Sequence, residues 1–279
     1  MAYLRSQNRS GAIPAGPVPA DSSDPQVIFP GPMPGSYKTE AIVLRSIRYG
    51  EADRVLHLYS ATRGRINAIA KGSRRPKSRF GGRLEPYFRL DLVLHEGRGE
   101  LATVTSAATV AAHPELRSNG PALMAAARGC DAVLRLCDSE EPNPPAYNLL
   151  CRYLDGQEPP SGVSPFPVVD GAAGQATALA FRLKLALTAG FSPELSSCAR
   201  CGESDGLVGF SGAAGGVVCA ACERGGFELS PAAHRFMVEA LGQPLAAAPS
   251  APERDLRQVD RAISETLEHH AHVRLRAAA

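Results

Sequence analysis

The chain has 279 residues, 44% of them hydrophobic and 21% charged, with a formal net charge of +2. These values suit a globular protein with room for two domains. They exclude a membrane-spanning helix, because no apolar run approaches the roughly 18 residues such a helix needs. The N-terminus also lacks the apolar segment of a secretion signal, so a cytoplasmic chain is expected.

The net charge conceals a division. Residues 36–113 carry 14 Lys and Arg against 7 Asp and Glu, whereas residues 114–279 carry 14 against 19. A basic module joined to a mildly acidic one suggests a polyanion-binding part and a scaffold or partner-binding part.

Residues 1–35 contain seven prolines among Gly, Ser and Asp, a composition that buries too little apolar surface to order itself. A disordered extension over residues 1–36 is therefore expected. From Thr39 to Val110 the pattern is β. Ala41–Leu44 opens a first strand, Val55–Tyr59 a second, and Ile66, Ala68 and Ala70 alternate in a third. Leu90, Leu92 and Leu94 alternate in a fourth, and Glu100–Val110 is a Thr- and Val-rich fifth. Five short strands without a long helix predict a small barrel or sandwich, compatible with an OB-fold.

After His113-Pro114 the period becomes helical. Leu116–Cys137, Ala146–Leu154, Ala176–Ala189, Pro231–Leu241 and Glu253–Arg274 read as helices, the fourth entered through Ser230-Pro231, a capping residue before a first-turn proline. The expected division is thus 1–36, a β domain over 37–113 and a helical domain over 114–279.

Between the third and fourth helices stand Cys198, Cys201, Cys219 and Cys222. Two Cys-x-x-Cys pairs 17 residues apart fall in the range of a four-thiolate zinc site. Two thiolates on one tight turn span one edge of a tetrahedron, and a second turn completes it. Gly202 follows the first pair and Gly215-Gly216 lead into the second. Two short strands, Leu207–Phe210 and Gly216–Val218, complete a zinc ribbon over residues 196–226. One structural Zn2+ per chain is expected, because four sulfurs leave no position open for water or substrate. Two disulfides would need an oxidising compartment, and an Fe–S cluster also uses four cysteines. Cys130, Cys137 and Cys151 sit in apolar patterns as buried thiols.

The segment Lys71–Arg83 holds six cations and no acid, between the third and fourth strands. Lys71, Arg74, Arg75, Lys77, Arg79 and Arg83 suit phosphates, with Ser73 and Ser78 as added donors and Phe80 as a surface on which a base can stack. Arg54, Arg63 and Arg65 would extend the patch. A solvated surface loop is the plainer alternative. No recognition helix is present, so sequence-tolerant nucleic-acid binding is expected.

Catalytic motifs are weak. His113-Pro114-Glu115 matches half of a zinc deaminase signature, but Ser197 rather than Pro precedes Cys198. His269, His270 and His272 near Glu265 read as a polar helix end. No phosphate-binding loop, nucleophile elbow or dinucleotide fingerprint occurs, so no enzymatic activity is expected.

With these residues in view, the chain from Tyr37 onward resembles the bacterial RecO family. The stretch Lys38–Leu44 followed by Tyr49–Arg54 looks like its opening strand and loop, and Ala70–Ser78 like its basic loop. Ala189–Leu195 leading into Cys198–Gly202, and Gly215–Cys222, look like the entry to and exit from its zinc site. The Pro-rich N-terminal stretch departs from the family pattern, as does the short ending Arg274-Leu275-Arg276. The resemblance implies an α+β chain: an N-terminal five-stranded OB-type β-barrel, then an α-helical domain with an inserted four-cysteine zinc ribbon. It implies binding of single- and double-stranded DNA, annealing of complementary strands, partnership with RecR and single-strand-binding protein, and help in loading RecA near the nucleoid. The rival reading of the residues is an RNA-binding OB and zinc-ribbon protein of the translation machinery.

Overall fold

The structure, a computed structural model, describes residues 35–97, 99–157 and 172–276. The expected N-terminal extension and the Pro/Gly/Ser-rich stretch after the second helix lie almost wholly outside the described residues.

Among the described residues five strands form the first part: β1 (Ser36–Tyr49), β2 (Asp53–Ser60), β3 (Gly64–Ala70), β4 (Arg89–His95) and β5 (Ala102–Ala111). They close into a barrel in the order β1-β2-β3-β5-β4. β3 and β5 meet parallel, while the other pairs are antiparallel. This order selects the five-stranded OB barrel over a sandwich.

β1 makes closure possible. Its first half pairs with β4 and its second with β2, with an irregularity between Val43 and Arg45. At its middle it is buried on both faces. Ala41 and Val43 point into the barrel core, whereas Ile42 and Leu44 point into a second core shared with the helices. Only this doubly buried middle is an unbroken apolar run, which is why the sequence marks a strand of four residues where the fold has 14.

Among the described residues five α-helices follow: α1 (Gly120–Leu136), α2 (Pro144–Gln157), α3 (Ala172–Thr188), α4 (Pro231–Gly242) and α5 (Glu253–His270). Asn119 caps α1 by accepting the Ala122 N–H at 3.0 Å, and Ser230 caps α4 by accepting that of Ala233 at 3.0 Å. Tyr153 stacks on Phe181 with ring centroids 4.1 Å apart, joining α2 to α3. α1 crosses this pair at Gly129, where a Cβ would come within 2.6 Å of the Tyr153 ring.

The barrel and the helices share the second core, in which Tyr59 of β2 packs with Ile42 and Leu44 against α1 and α2 residues. The β2–β3 turn is wedged beneath the α1–α2 connection. Gly64 has φ +55°, and a Cβ there would lie 2.3 Å from the Glu141 carbonyl oxygen. The Arg65 N–H donates to the Ser139 carbonyl at 3.0 Å beside it.

Between α3 and α4 runs a three-stranded sheet of β6 (Leu207–Ser211), β7 (Gly216–Cys219) and β8 (Phe227–Glu228), in the order β7-β6-β8. It is not a pendant module, because Phe210 and Val217 belong to the helical core. Arg261 of α5 lies over the Phe227 ring at 4.1 Å, and His270 Nε2 lies 2.8 Å from the Gly212 carbonyl oxygen. The expected last helix to Arg274 ends at His270.

Candidate metal centre and nucleic-acid surface

Two chain reversals build the cysteine cluster. In the first, the Cys198 N–H donates to the Glu203 carbonyl at 2.7 Å and the Gly202 N–H to the Cys198 carbonyl at 2.8 Å, with Gly202 at φ +79°. In the second, Cys219 ends β7 and the Cys222 N–H donates back to its carbonyl at 2.9 Å. Gly215 also takes φ +79°. Gly216 serves another purpose: a Cβ there would lie 2.3 Å from the Glu194 carbonyl oxygen, where the entering chain runs beside β7.

The four Sγ atoms all lie within 4.8 Å of one another, and Cys201 Sγ is 3.7 Å from Cys219 Sγ. Four thiolates at about 2.3 Å from a tetrahedral zinc stand about 3.8 Å apart, so the donor set fits this ion. The sulfur electrostatics point the same way. Backbone N–H groups directed at Cys198, that of Cys219 foremost, hold its thiol down to about 6. Cys222 is pushed up to about 12, chiefly by its sulfur contacts with Cys201 and Cys219. Sulfurs this close resist ionising together, and a divalent cation at their centre removes that resistance. Among the described residues no other group of His, Cys, Asp and Glu is placed to hold a metal. The C-terminal histidines do not cluster; His270 is spent on the ribbon backbone.

The segment Lys71–Arg83 crosses one end of the barrel as consecutive tight turns. Arg75 donates to Gly72, Ser78 to Arg75 and Arg83 to Phe80 through their backbones, at 2.9–3.1 Å. The expectation that Phe80 offers its face to a base is overturned. Phe80 is 2% exposed and, with Leu84 and Phe88, plugs the barrel core. The two serines also turn inward: Ser78 Oγ accepts the Phe80 N–H at 3.2 Å, and Ser73 Oγ is buried without a hydrogen-bond partner among the described residues. The plug fixes the loop, which consequently presents Lys71, Arg74, Arg75, Lys77, Arg79 and Arg83 to solvent. Among the described residues none of these six has an acidic partner. Arg74 donates to the Gly50 carbonyl at 3.3 Å, Arg79 to that of Val104 at 3.4 Å, and Arg83 to that of Arg79 at 3.3 Å.

Of the other three expected cations, one is paired beside the loop and two lie at the far end of the barrel. Arg54, at the same barrel end, is engaged with Glu85 at 3.0 Å and with Ser46 at 3.0 Å. Arg63 and Arg65 flank Gly64 at the opposite end of β3, whose seven residues span about 20 Å. Arg63 pairs with Glu96 at 2.7 Å and lies over the Tyr37 ring, while Arg65 Nε is buried. The fold does not bring them to the loop.

Comparison with known proteins adds to this geometry. The family model described as recombination protein O N terminal matches residues 33–113, and that described as recombination protein O C terminal matches residues 117–278. The chain belongs to the RecO family. DNA repair protein RecO of Rubrobacter xylanophilus is 38% identical over 234 residues, covering 81% of this chain and 90% of that protein. DNA repair protein RecO of Anaeromyxobacter sp. (strain K) is 33% identical over 249 residues, covering 86% and 93%. The RecO family is one of DNA repair and recombination proteins, and the chain has its two-part layout, barrel first and helices second; in this chain the second part carries the cysteine cluster. Among the described residues no helix is long and apolar enough to cross a membrane.

Proposed function

We propose that the chain is a non-enzymatic mediator of DNA repair and recombination. In this reading it binds single- and double-stranded DNA, anneals complementary strands, and helps load RecA on strands coated with single-strand-binding protein, with RecR as partner. Family membership supports the role. The observation that carries DNA contact is six solvent-facing loop cations with no acidic partner among the described residues.

The barrel, residues 37–113, is the part assigned to DNA. Each strand phosphate paired with a loop cation releases condensed counterions. Two strands held this way repel each other less, so complementary bases meet more often. The loop cations are assigned to phosphates, which carry no sequence information, and this suits a protein that must act on any sequence. The mildly acidic helical part, residues 114–279, is the surface left for protein partners, and the setting is the nucleoid of the cytoplasm.

Zn2+ is the ion assigned to Cys198, Cys201, Cys219 and Cys222. It would supply structural cross-linking and no chemistry, since four sulfurs complete its tetrahedron.

The test is annealing of complementary strands coated with single-strand-binding protein, using the full chain and a variant with Arg74, Arg75, Lys77 and Arg79 changed to Glu. The wild-type chain should accelerate pairing, with DNA affinity falling steeply as salt rises, and the variant should do neither. Affinity that ignores salt or survives the four changes would overturn the assignment.

A further inference from the structure

The barrel end that carries the basic loop also carries an aromatic ring in the open. Tyr49, the last residue of β1, is 58% exposed, and it is the one exposed aromatic among the described residues. The other Phe and Tyr rings among the described residues are buried or half-buried. Its position is fixed from two sides. Register pairs Tyr49 with Asp53 and, two residues back, Ile47 with Val55. Val55 in turn pairs with Ile69, so Ile47, Val55 and Ile69 form an apolar row on the outer barrel surface next to the ring. Ile47 is itself exposed.

The turn after Tyr49 is bound to the basic loop. The Arg74 guanidinium donates to the Gly50 carbonyl at 3.3 Å, the Arg74 N–H to that of Ala52 at 2.9 Å, and the Gly72 N–H to Asp53 Oδ1 at 2.7 Å. The ring therefore belongs to the same rigid unit as the loop cations. Arg45 and Arg48 on the same strand are exposed as well, and Glu51 is the one exposed acid of the turn.

We propose that Tyr49 is a stacking platform for an unpaired base of a single strand whose phosphates lie on the Lys71–Arg83 loop. An exposed aromatic between cations is the arrangement that holds single-stranded nucleic acid without reading its sequence. A duplex keeps its bases stacked inside and offers the ring nothing, so Tyr49 confers a preference for single strands that the loop charges alone do not. The inference rests on the DNA-binding reading above and adds a residue to it.

The experiment compares an oligothymidylate strand with an abasic strand of equal length and charge, and with a duplex, at several salt concentrations. Binding is followed for the full chain, for Tyr49→Ala and for Tyr49→Phe, with thermal melting to confirm that each is folded. The wild-type chain should prefer the thymidylate strand over the abasic one by about five- to a hundredfold, the range of one stacked base. Tyr49→Ala should bring that ratio near one while leaving the salt slope and duplex affinity unchanged, and Tyr49→Phe should keep it. If Tyr49→Ala retains the ratio, or Tyr49→Phe loses it, the platform is wrong although the loop reading stands. If the wild-type chain binds none of the three, both fail.

Discussion

The Tyr147 hydroxyl on α2 donates to Glu40 on β1 at 2.7 Å, bridging the seam between helices and barrel. Arg89 of β4 approaches the same carboxylate at 3.8 Å. The seam thus has a polar margin beside the apolar contact of Ile42, Leu44 and Tyr59. Glu40 is exposed, so solvent screens its share. Tyr147→Phe should cost about 1 kcal/mol, and a chain of this size should then melt about 2–4 °C lower. An unchanged melting temperature would show that the hydrogen bond only replaces one to water.

Alkaline pH should act on the same region. Burial pushes the phenols of Tyr59, Tyr87, Tyr147 and Tyr153 upward, and for Tyr147 the bond to Glu40 adds to it. In the unfolded chain a tyrosine ionises near pH 10. A raised folded value means the unfolded state loses protons first, so the stability these groups confer is complete below about pH 10 and declines above it. Melting temperature should fall steeply from there, with tyrosinate absorbance from the buried rings appearing together with loss of ellipticity. Tyrosinate from all four rings in a still-folded chain would refute the linkage.

How far the sequence discloses this fold depends on how local each signal is. The cysteine spacing and the Ser230-Pro231 cap are local, and both stand in the structure as the sequence suggests. The OB order is not local: it depends on β3 meeting β5 across the loop and β4, and alternation within single strands carries no record of that pairing. The flanks of β1 escape the pattern because they are largely exposed and mix polar residues with the isolated Tyr37, Ile47 and Tyr49. Phe80 misleads because an aromatic inside a run of cations looks exposed, whereas the barrel needs a plug at that end. Tyr49 gives no signal because, at a strand end, nothing in the sequence distinguishes a ring facing water from one facing the core.

Metal removal should separate the cysteines into two classes. Cys130, Cys137 and Cys151 are buried, and burial raises their thiols. A chelator should therefore expose four thiols to a neutral-pH thiol reagent, leaving three shielded until denaturant is added. Because Phe210 and Val217 pack in the helical core and Arg261 and His270 grip the ribbon, the loss should reach α4 and α5. Structural zinc contributes on the order of 10 kcal/mol in isolated fingers. Cys219→Ser should accordingly lower the melting temperature of the whole chain in one transition. A purified chain without metal, or seven thiols reacting together, would contradict the assignment.

Single alanine substitutions should sort the nine expected DNA-contacting cations by position. Arg75 on the loop has no side-chain partner among the described residues, so Arg75→Ala should weaken duplex binding and reduce the logarithmic salt slope by about 0.9, one phosphate contact. Arg63 is held by Glu96 and the Tyr37 ring, and Arg65 has its Nε buried, both at the far end of β3. Arg63→Ala and Arg65→Ala should leave the slope unchanged. Arg54 is the informative intermediate: Arg54→Ala frees the Glu85 carboxylate at the loop's own end of the barrel. Affinity should then fall through added repulsion, and Arg54→Ala combined with Glu85→Gln should recover most of it. If instead Arg63→Ala flattens the slope as much as Arg75→Ala does, the DNA path runs along the whole barrel wall and not across its capped end.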